Sequence, residues 1–186
     1  ITFTASVFKL SKRKTLVQEL YSIETIARVD VLCLDKTGTI TDGTMNVEEF
    51  HPIKGAARVK KIISSMNKHL VDSNQTADAL TDYFGEESHY DPITLLPFSS
   101  ARKYSAVKLK RTGTYVLGAP EFILKMTPEI YFEINKYSSK GKRVIVLAKA
   151  EDIKNDKIVG KTTLEAYIII DDHIREDARD TIDYFN

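Results

Sequence analysis

Apolar positions recur along this chain at two spacings, and the spacing changes divide it into elements. From Ala56 to Leu70, Val59, Ile62, Ile63 and Met66 return every three or four residues with lysines opposite, which predicts an amphipathic helix. Ala77, Leu80, Tyr83 and Phe84 predict a second helix from Asn74 to Phe84, with Asn74 as its cap. A third helix is expected over Lys12–Ile26, where Leu16, Val17, Leu20, Tyr21 and Ile23 fall near one face; residues 1–11 show no clear period. Strand patterns come next. Val47–Ile53 and the apolar run Ile93–Phe98, interrupted by Pro97, read as strands. In Tyr104–Lys110, Ser105, Val107 and Leu109 share one face, with Tyr104, Lys108 and Lys110 on the other. Arg111–Thr114 is a hairpin turn and Tyr115–Leu117 the return strand. Pro120 starts a helix to Lys125, and Pro128–Ser139 forms another. Arg143–Ala150 and Thr162–Ile170 are strands joined by a polar hairpin connection, and a terminal helix follows Arg175.

One stretch fits neither amphipathic period. Val31, Leu32, Cys33 and Leu34 are continuously apolar and end in Asp35, the pattern of a central parallel strand buried on both faces. A carboxylate at the carboxyl end of such a strand stands where open α/β sheets bind ligands, and it can act as a nucleophile toward phosphorus. The alternative is that Asp35 only begins a turn. Lys36 can offset phosphate charge, Thr37 and Thr39 offer hydroxyls, and Gly38 allows backbone N–H groups to approach an anion.

Composition narrows the classes. The 186 residues carry a net charge of +1, which gives no electrostatic footprint for nucleic acid. Cys33, the sole cysteine, is expected to be a packed, inert thiol. His51, His69, His89 and His173 are scattered without metal-ligand spacing, and no phosphate-binding Gly-rich loop or dinucleotide fingerprint occurs. No apolar run reaches the length of a membrane span. The first residue is Ile1 and the last falls inside an amphipathic pattern, so a piece of a longer protein is expected.

Asp35-Lys36-Thr37-Gly38-Thr39-Ile40-Thr41 resembles the phosphorylation motif of the P-type ATPases, the ion pumps that pass through an aspartyl-phosphate. The resemblance, closest to bacterial cation pumps, extends over nearly the whole chain. Leu96-Pro-Phe-Ser-Ser-Ala-Arg-Lys103 is similar to the segment whose aromatic ring stacks on adenine, with Phe98 as that ring and Lys103 as the basic residue. Gly118-Ala119-Pro120-Glu121 resembles the second nucleotide motif, with Leu117 where the family usually has Lys. Ala77 stands where many cation pumps carry a Glu that bonds the adenine amino group. Both departures imply fewer polar contacts to the base. Gly141-Lys142-Arg143 resembles the family's Gly-x-Arg, whose Arg contacts phosphates; Asp172 and Arg175 match its Asp-x-x-Arg, with His173 replacing the usual Pro.

The resemblance implies an α+β nucleotide-binding domain, an antiparallel sheet flanked by helices, inserted into a partial α/β haloacid-dehalogenase-like phosphorylation domain. The expected boundaries are 1–45 and 164–186 for the phosphorylation domain and 46–163 for the insertion. It also implies ATP and Mg²⁺ as cofactors, with Asp35 and Thr37 as Mg²⁺ ligands and the remaining ligand beyond this chain. Asp35, Lys36 and Thr37 are the expected catalytic residues; Phe98, Lys103, Leu117, Gly118, Arg143, Asp172 and Arg175 are expected at the nucleotide. Expected partners are ATP, a transported cation, and the membrane, actuator and remaining phosphorylation domains of the same protein, at the cytoplasmic face of a membrane. Two other readings stay open: a soluble haloacid-dehalogenase-like phosphatase with a cap, and a binding module without catalysis. Thr37 stands where such phosphatases usually carry a second Asp.

Overall fold

The computed structural model describes residues 2–13, 15–19, 21, 24–25, 28–71 and 74–184, and the chain forms two compact units, Ile1–Thr39 and Ile40–Asn186. In the first unit, α1 spans Thr2–Lys12. No Gly or Pro interrupts it, Lys9 and Lys12 in its last turn complement the negative end of the helix, and the Lys12 ammonium lies 4.8 Å over the Phe8 ring one turn away. The helix therefore ends where the sequence reading began one. Residues 15–19 are not helical, and Leu16 and Tyr21 are exposed; Leu20 and Ile23 lie outside the described residues. An amphipathic pattern is not enough when nothing covers its apolar stripe.

The expected strand over residues 31–34 is likewise absent. These residues have no regular secondary structure, with Val31 73% exposed, and Cys33 is exposed rather than packed. A parallel strand is held by neighbours on both sides, and among the described residues none pairs with this segment. Asp35 follows, and a π-helical turn covers Lys36–Ile40, with Gly38 at φ +78°.

The second unit is an antiparallel sheet with helices on both faces. Its elements are β1 (Thr41–Pro52), α2 (Ala56–His69), α3 (Gln75–Phe84), β2 (Pro92–Ser99), β3 (Tyr104–Leu109), β4 (Gly113–Gly118), α4 (Pro120–Ile123), α5 (Pro128–Ser138), β5 (Arg143–Ala150), β6 (Asp152–Lys154), β7 (Lys157–Val159), β8 (Thr163–Ile174) and α6 (Ala178–Tyr184). Six strands pair in the order β1-β8-β5-β4-β3-β2; β6 and β7 form a separate small hairpin, within the stretch read from sequence as a connection. Asn74 caps α3 as expected: its Oδ1 accepts from the Ala77 N–H at 3.0 Å.

On one face, Val59, Ile62, Ile63 and Met66 of α2 and Leu80 of α3 pack on Val107, Leu109, Leu117, Leu147 and Ile168. On the other, Ile123, Leu124 and Ile130 pack on Tyr104, Ala106, Val116, Val146 and Ala148. The face of β3 that carries Tyr104 and Ala106 is thus a second core layer. Tyr104 is buried, and the Lys108 ammonium pairs with Asp152 of the small hairpin at 2.9 Å. Burial on both faces explains why β5 reads as an unbroken apolar run. The Arg58 guanidinium, held by Glu165 and by the Tyr115 hydroxyl at 3.1 Å, ties α2 across to β8 and β4.

Candidate functional site

A cleft of about 890 Å³ opens between α3, the end of α2 and the ends of β2–β5, a volume suited to a small-molecule ligand. Local backbone chemistry sets its lip. After β2 the chain turns tightly, with the Arg102 and Lys103 N–H groups both donating to the Ser99 carbonyl at 3.1 and 2.7 Å. Lys103 takes φ +60°, and the Arg102 guanidinium donates to the Pro97 carbonyl at 2.7 Å. This turn brings Phe98, 41% exposed, and Lys103 to the same rim. Gly118 lies against the turn so closely that a Cβ would sit 2.4 Å from the Lys103 carbonyl oxygen. The Ala119 N–H donates to that same oxygen at 3.0 Å. The opposite wall is the start of α3. There the Thr76 hydroxyl accepts from Arg143 Nη1 at 2.8 Å, drawing the first residue of β5 toward the helix.

Five of the sequence-derived nucleotide candidates, Phe98, Lys103, Leu117, Gly118 and Arg143, therefore line one cleft, and Ala77 lines it with them. Leu117 is 6% exposed and forms part of the floor. Asp172 and Arg175 do not line it. Asp172 is on β8 opposite Met45. Arg175 fastens the exit of β8 to the entry of β1, its backbone N–H donating to the Ile40 carbonyl at 3.0 Å and its Nε–H to the Thr41 carbonyl at 3.3 Å. Beside it the His173 ring meets the Asp42 carboxylate at 2.7 Å. The Thr44 hydroxyl and then its backbone N–H, with a smaller contribution from His173, hold Asp42 from the ordinary 3.8 down to about 2.

Sequence reasoning missed several residues of the cleft. Lys68 adds a third cation to Lys103 and Arg143, while Asp78, Asp82, Glu86 and Glu121 place carboxylates around the exposed rim. Thr76 and Ser105 also line it. Ser105 was visible as the one polar residue on an otherwise apolar strand face, but no pattern said that this face continues into a cleft.

Asp35, Lys36 and Gly38 are exposed in the first unit. The hard oxygens of Asp35 and the Thr37 carbonyl match Mg²⁺ in kind but fall short of its six-coordinate demand. No group of three or more His, Cys, Asp or Glu able to hold a metal occurs among the described residues. None of the described helices is long and apolar enough to cross a membrane.

The fold is an α+β domain of antiparallel sheet and flanking helices with a cleft of small-molecule size at one end of the sheet. No family model matches the chain. It is 42% identical over 185 residues, 96% of its length, to a probable cation-transporting ATPase, exp7, of Streptococcus pneumoniae. It is 33% identical over its full length to the calcium-transporting ATPase CtpE of Mycobacterium bovis. A solved zinc-transporting PIB-type ATPase shares its fold over 99% of the chain, at TM-score 0.65 and 18% identity. The chain spans about a quarter of the length of these relatives, 23% and 24% of the two sequences. Sequence and fold together place it with the P-type cation-transporting ATPases, over that segment.

Proposed function

We propose that the chain is the nucleotide-binding domain, with the phosphorylation-site motif, of an ATP-driven cation pump. The observation that carries this reading is the convergence of Phe98, Lys103, Gly118 and Arg143 on one cleft in a chain that also holds Asp35-Lys36-Thr37. The Phe98 ring offers a flat apolar face to the base, above a floor formed by Leu117. Lys103 and Arg143 neutralise phosphate charge, Arg143 as a planar fork of donors. Asp172 and Arg175 act at the hinge, bracing β1 and β8 where these strands leave the sheet toward phosphorylation-domain segments of a haloacid-dehalogenase-like fold.

In the whole protein Asp35 is the nucleophile. One of its carboxylate oxygens bonds to the γ-phosphorus as the bond to the β,γ-bridging oxygen breaks, and ADP leaves with that electron pair. Lys36 offsets charge on the transferring group, and Thr37 sits beside it. With Thr37 in place of a second Asp there is no general base next to the acyl-phosphate, which favours a long-lived intermediate over a phosphatase. Mg²⁺, completed by ligands outside this chain, supplies charge neutralisation when bound. The proposed cargo is a cation, with calcium first in view of the relatives' names, and the setting is the cytoplasmic face of a membrane. This segment by itself is expected to bind nucleotide without turnover.

The test is phosphoenzyme formation in the full-length protein. Incubation with γ-labelled ATP is expected to give an acid-stable, hydroxylamine-labile label that Asp35→Asn abolishes. A label that persists in Asp35→Asn, or release of phosphate with no trapped intermediate, would overturn the assignment.

A further inference from the structure

Among the described residues that are buried and line the cleft, Ser105 alone is polar; the others include Met66, Leu80, Leu117 and Ile145. Ser105 is 6% exposed, and its Oγ is not among the fully buried atoms left without a partner, of which the described residues have one, Arg102 Nε. It is paired in register with Leu117 on β4, so the two side chains lie next to each other on the floor. The Ser105 hydroxyl therefore stays open to the cleft, where a polar group of a ligand can pair with it.

Apart from Thr81, half-buried on α3, the other polar groups are committed or solvated. Asn67, half-buried on the wall, donates its amide N–H groups to the Leu80 and Gly85 carbonyls at 3.2 and 2.9 Å. Thr76 accepts from Arg143 at 2.8 Å. Asp78, Asp82 and Glu86 are exposed on the rim.

We propose that Ser105 is the residue that reads the base, and that the site is purine-tolerant, taking GTP nearly as well as ATP. This rests on the nucleotide reading of the cleft. Adenine presents a donor at its C6 amino group and an acceptor at N1; guanine presents an acceptor at O6 and a donor at N1. A site rejects the wrong base when a buried polar group of fixed sense is left unpaired. A hydroxyl has no fixed sense, because it rotates to donate or to accept. Leu117 and Ala77 add apolar contact that both purines satisfy equally.

The experiment is a set of calorimetric titrations of the 186-residue chain with ATP, GTP and purine riboside triphosphate, which lacks the C6 substituent. Wild type is expected to bind ATP and GTP within about fivefold of each other. Ser105→Ala is expected to weaken both by about fivefold, the loss of one net hydrogen bond, while the affinity of the purine riboside nucleotide stays unchanged. Ser105→Thr, which keeps the hydroxyl, is expected to retain binding, and unchanged urea midpoints show that the variants fold. GTP binding thirtyfold or more weaker than ATP, or Ser105→Ala leaving both affinities unchanged, would overturn this inference while leaving the nucleotide site intact. Failure of ATP itself to bind would overturn the nucleotide reading, and the inference with it.

Discussion

Gly118→Ala is expected to be the most damaging single-methyl change in the cleft. A Cβ at 118 would stand 2.4 Å from the Lys103 carbonyl oxygen and 2.6 Å from Tyr104 Cα. Unstrained contacts lie near about 3.5–4 Å, so the facing backbones must part by about 1 Å. No rotamer change relieves this, because the two nearest atoms are backbone. Overpacking of this kind costs about 1–3 kcal/mol. The displaced oxygen also accepts the Ala119 N–H at 3.0 Å, and weakening that bond adds about 1 kcal/mol. The expected loss is about 3 kcal/mol, a fall of roughly 6–12 °C in Tm for a chain of this size. Gly141→Ala is the control: Gly141 has φ +80° and nothing within 4 Å of an added Cβ, so only left-handed strain of about 1 kcal/mol remains. Urea unfolding followed by far-UV circular dichroism measures both. Equal losses in the two variants would refute the claim that close backbone contact sets the lip carrying Phe98 and Lys103.

Three further outcomes follow from particular contacts. Asn74→Ala removes the cap on α3 and is expected to lower stability by about 1 kcal/mol by urea unfolding, while Asn74→Asp is nearly neutral. Glu165→Gln weakens the clamp on Arg58, and because the Arg58 side chain stays 41% exposed the expected cost is only about 1 kcal/mol. Asp42 titrates lower in the folded chain than its ordinary 3.8, at about 2, so its contribution to stability is complete above pH 3.8 and disappears as pH falls through about 2. Wild type and Asp42→Asn should therefore differ in urea midpoint at pH 6 and converge near pH 2; a difference independent of pH would count against the Thr44 and His173 contacts.

The second unit was legible because its signals are local and agree with its packing. The 3.6-residue period in α2 and the Arg143–Ala150 run each have a tertiary partner in the same unit, and the Asn74 cap is satisfied within its own helix, so pattern and fold coincide. In Tyr104–Leu109 alternation showed which residues share a face but not that a second layer covers the Tyr104 side. The failures at 15–19 and 31–34 have one cause. Both patterns describe surfaces that need a partner, and without neighbouring strands or a covering face the apolar residues Leu16, Val31 and Leu32 remain exposed. For the cleft, the motifs marked residues with strong ligand chemistry, Phe98, Lys103 and Arg143. They left out Ser105 and Thr76, whose importance comes only from where β3 and α3 deliver them.

The most direct measurement is an ATP titration of the chain followed by amide NMR shifts, repeated with Phe98→Ala. Saturable shifts are expected at residues 98–103, 117–118 and 143, weakened or lost in the variant. An absence of shifts at millimolar ATP, or identical shifts in Phe98→Ala, would contradict the assignment of the cleft as the nucleotide site.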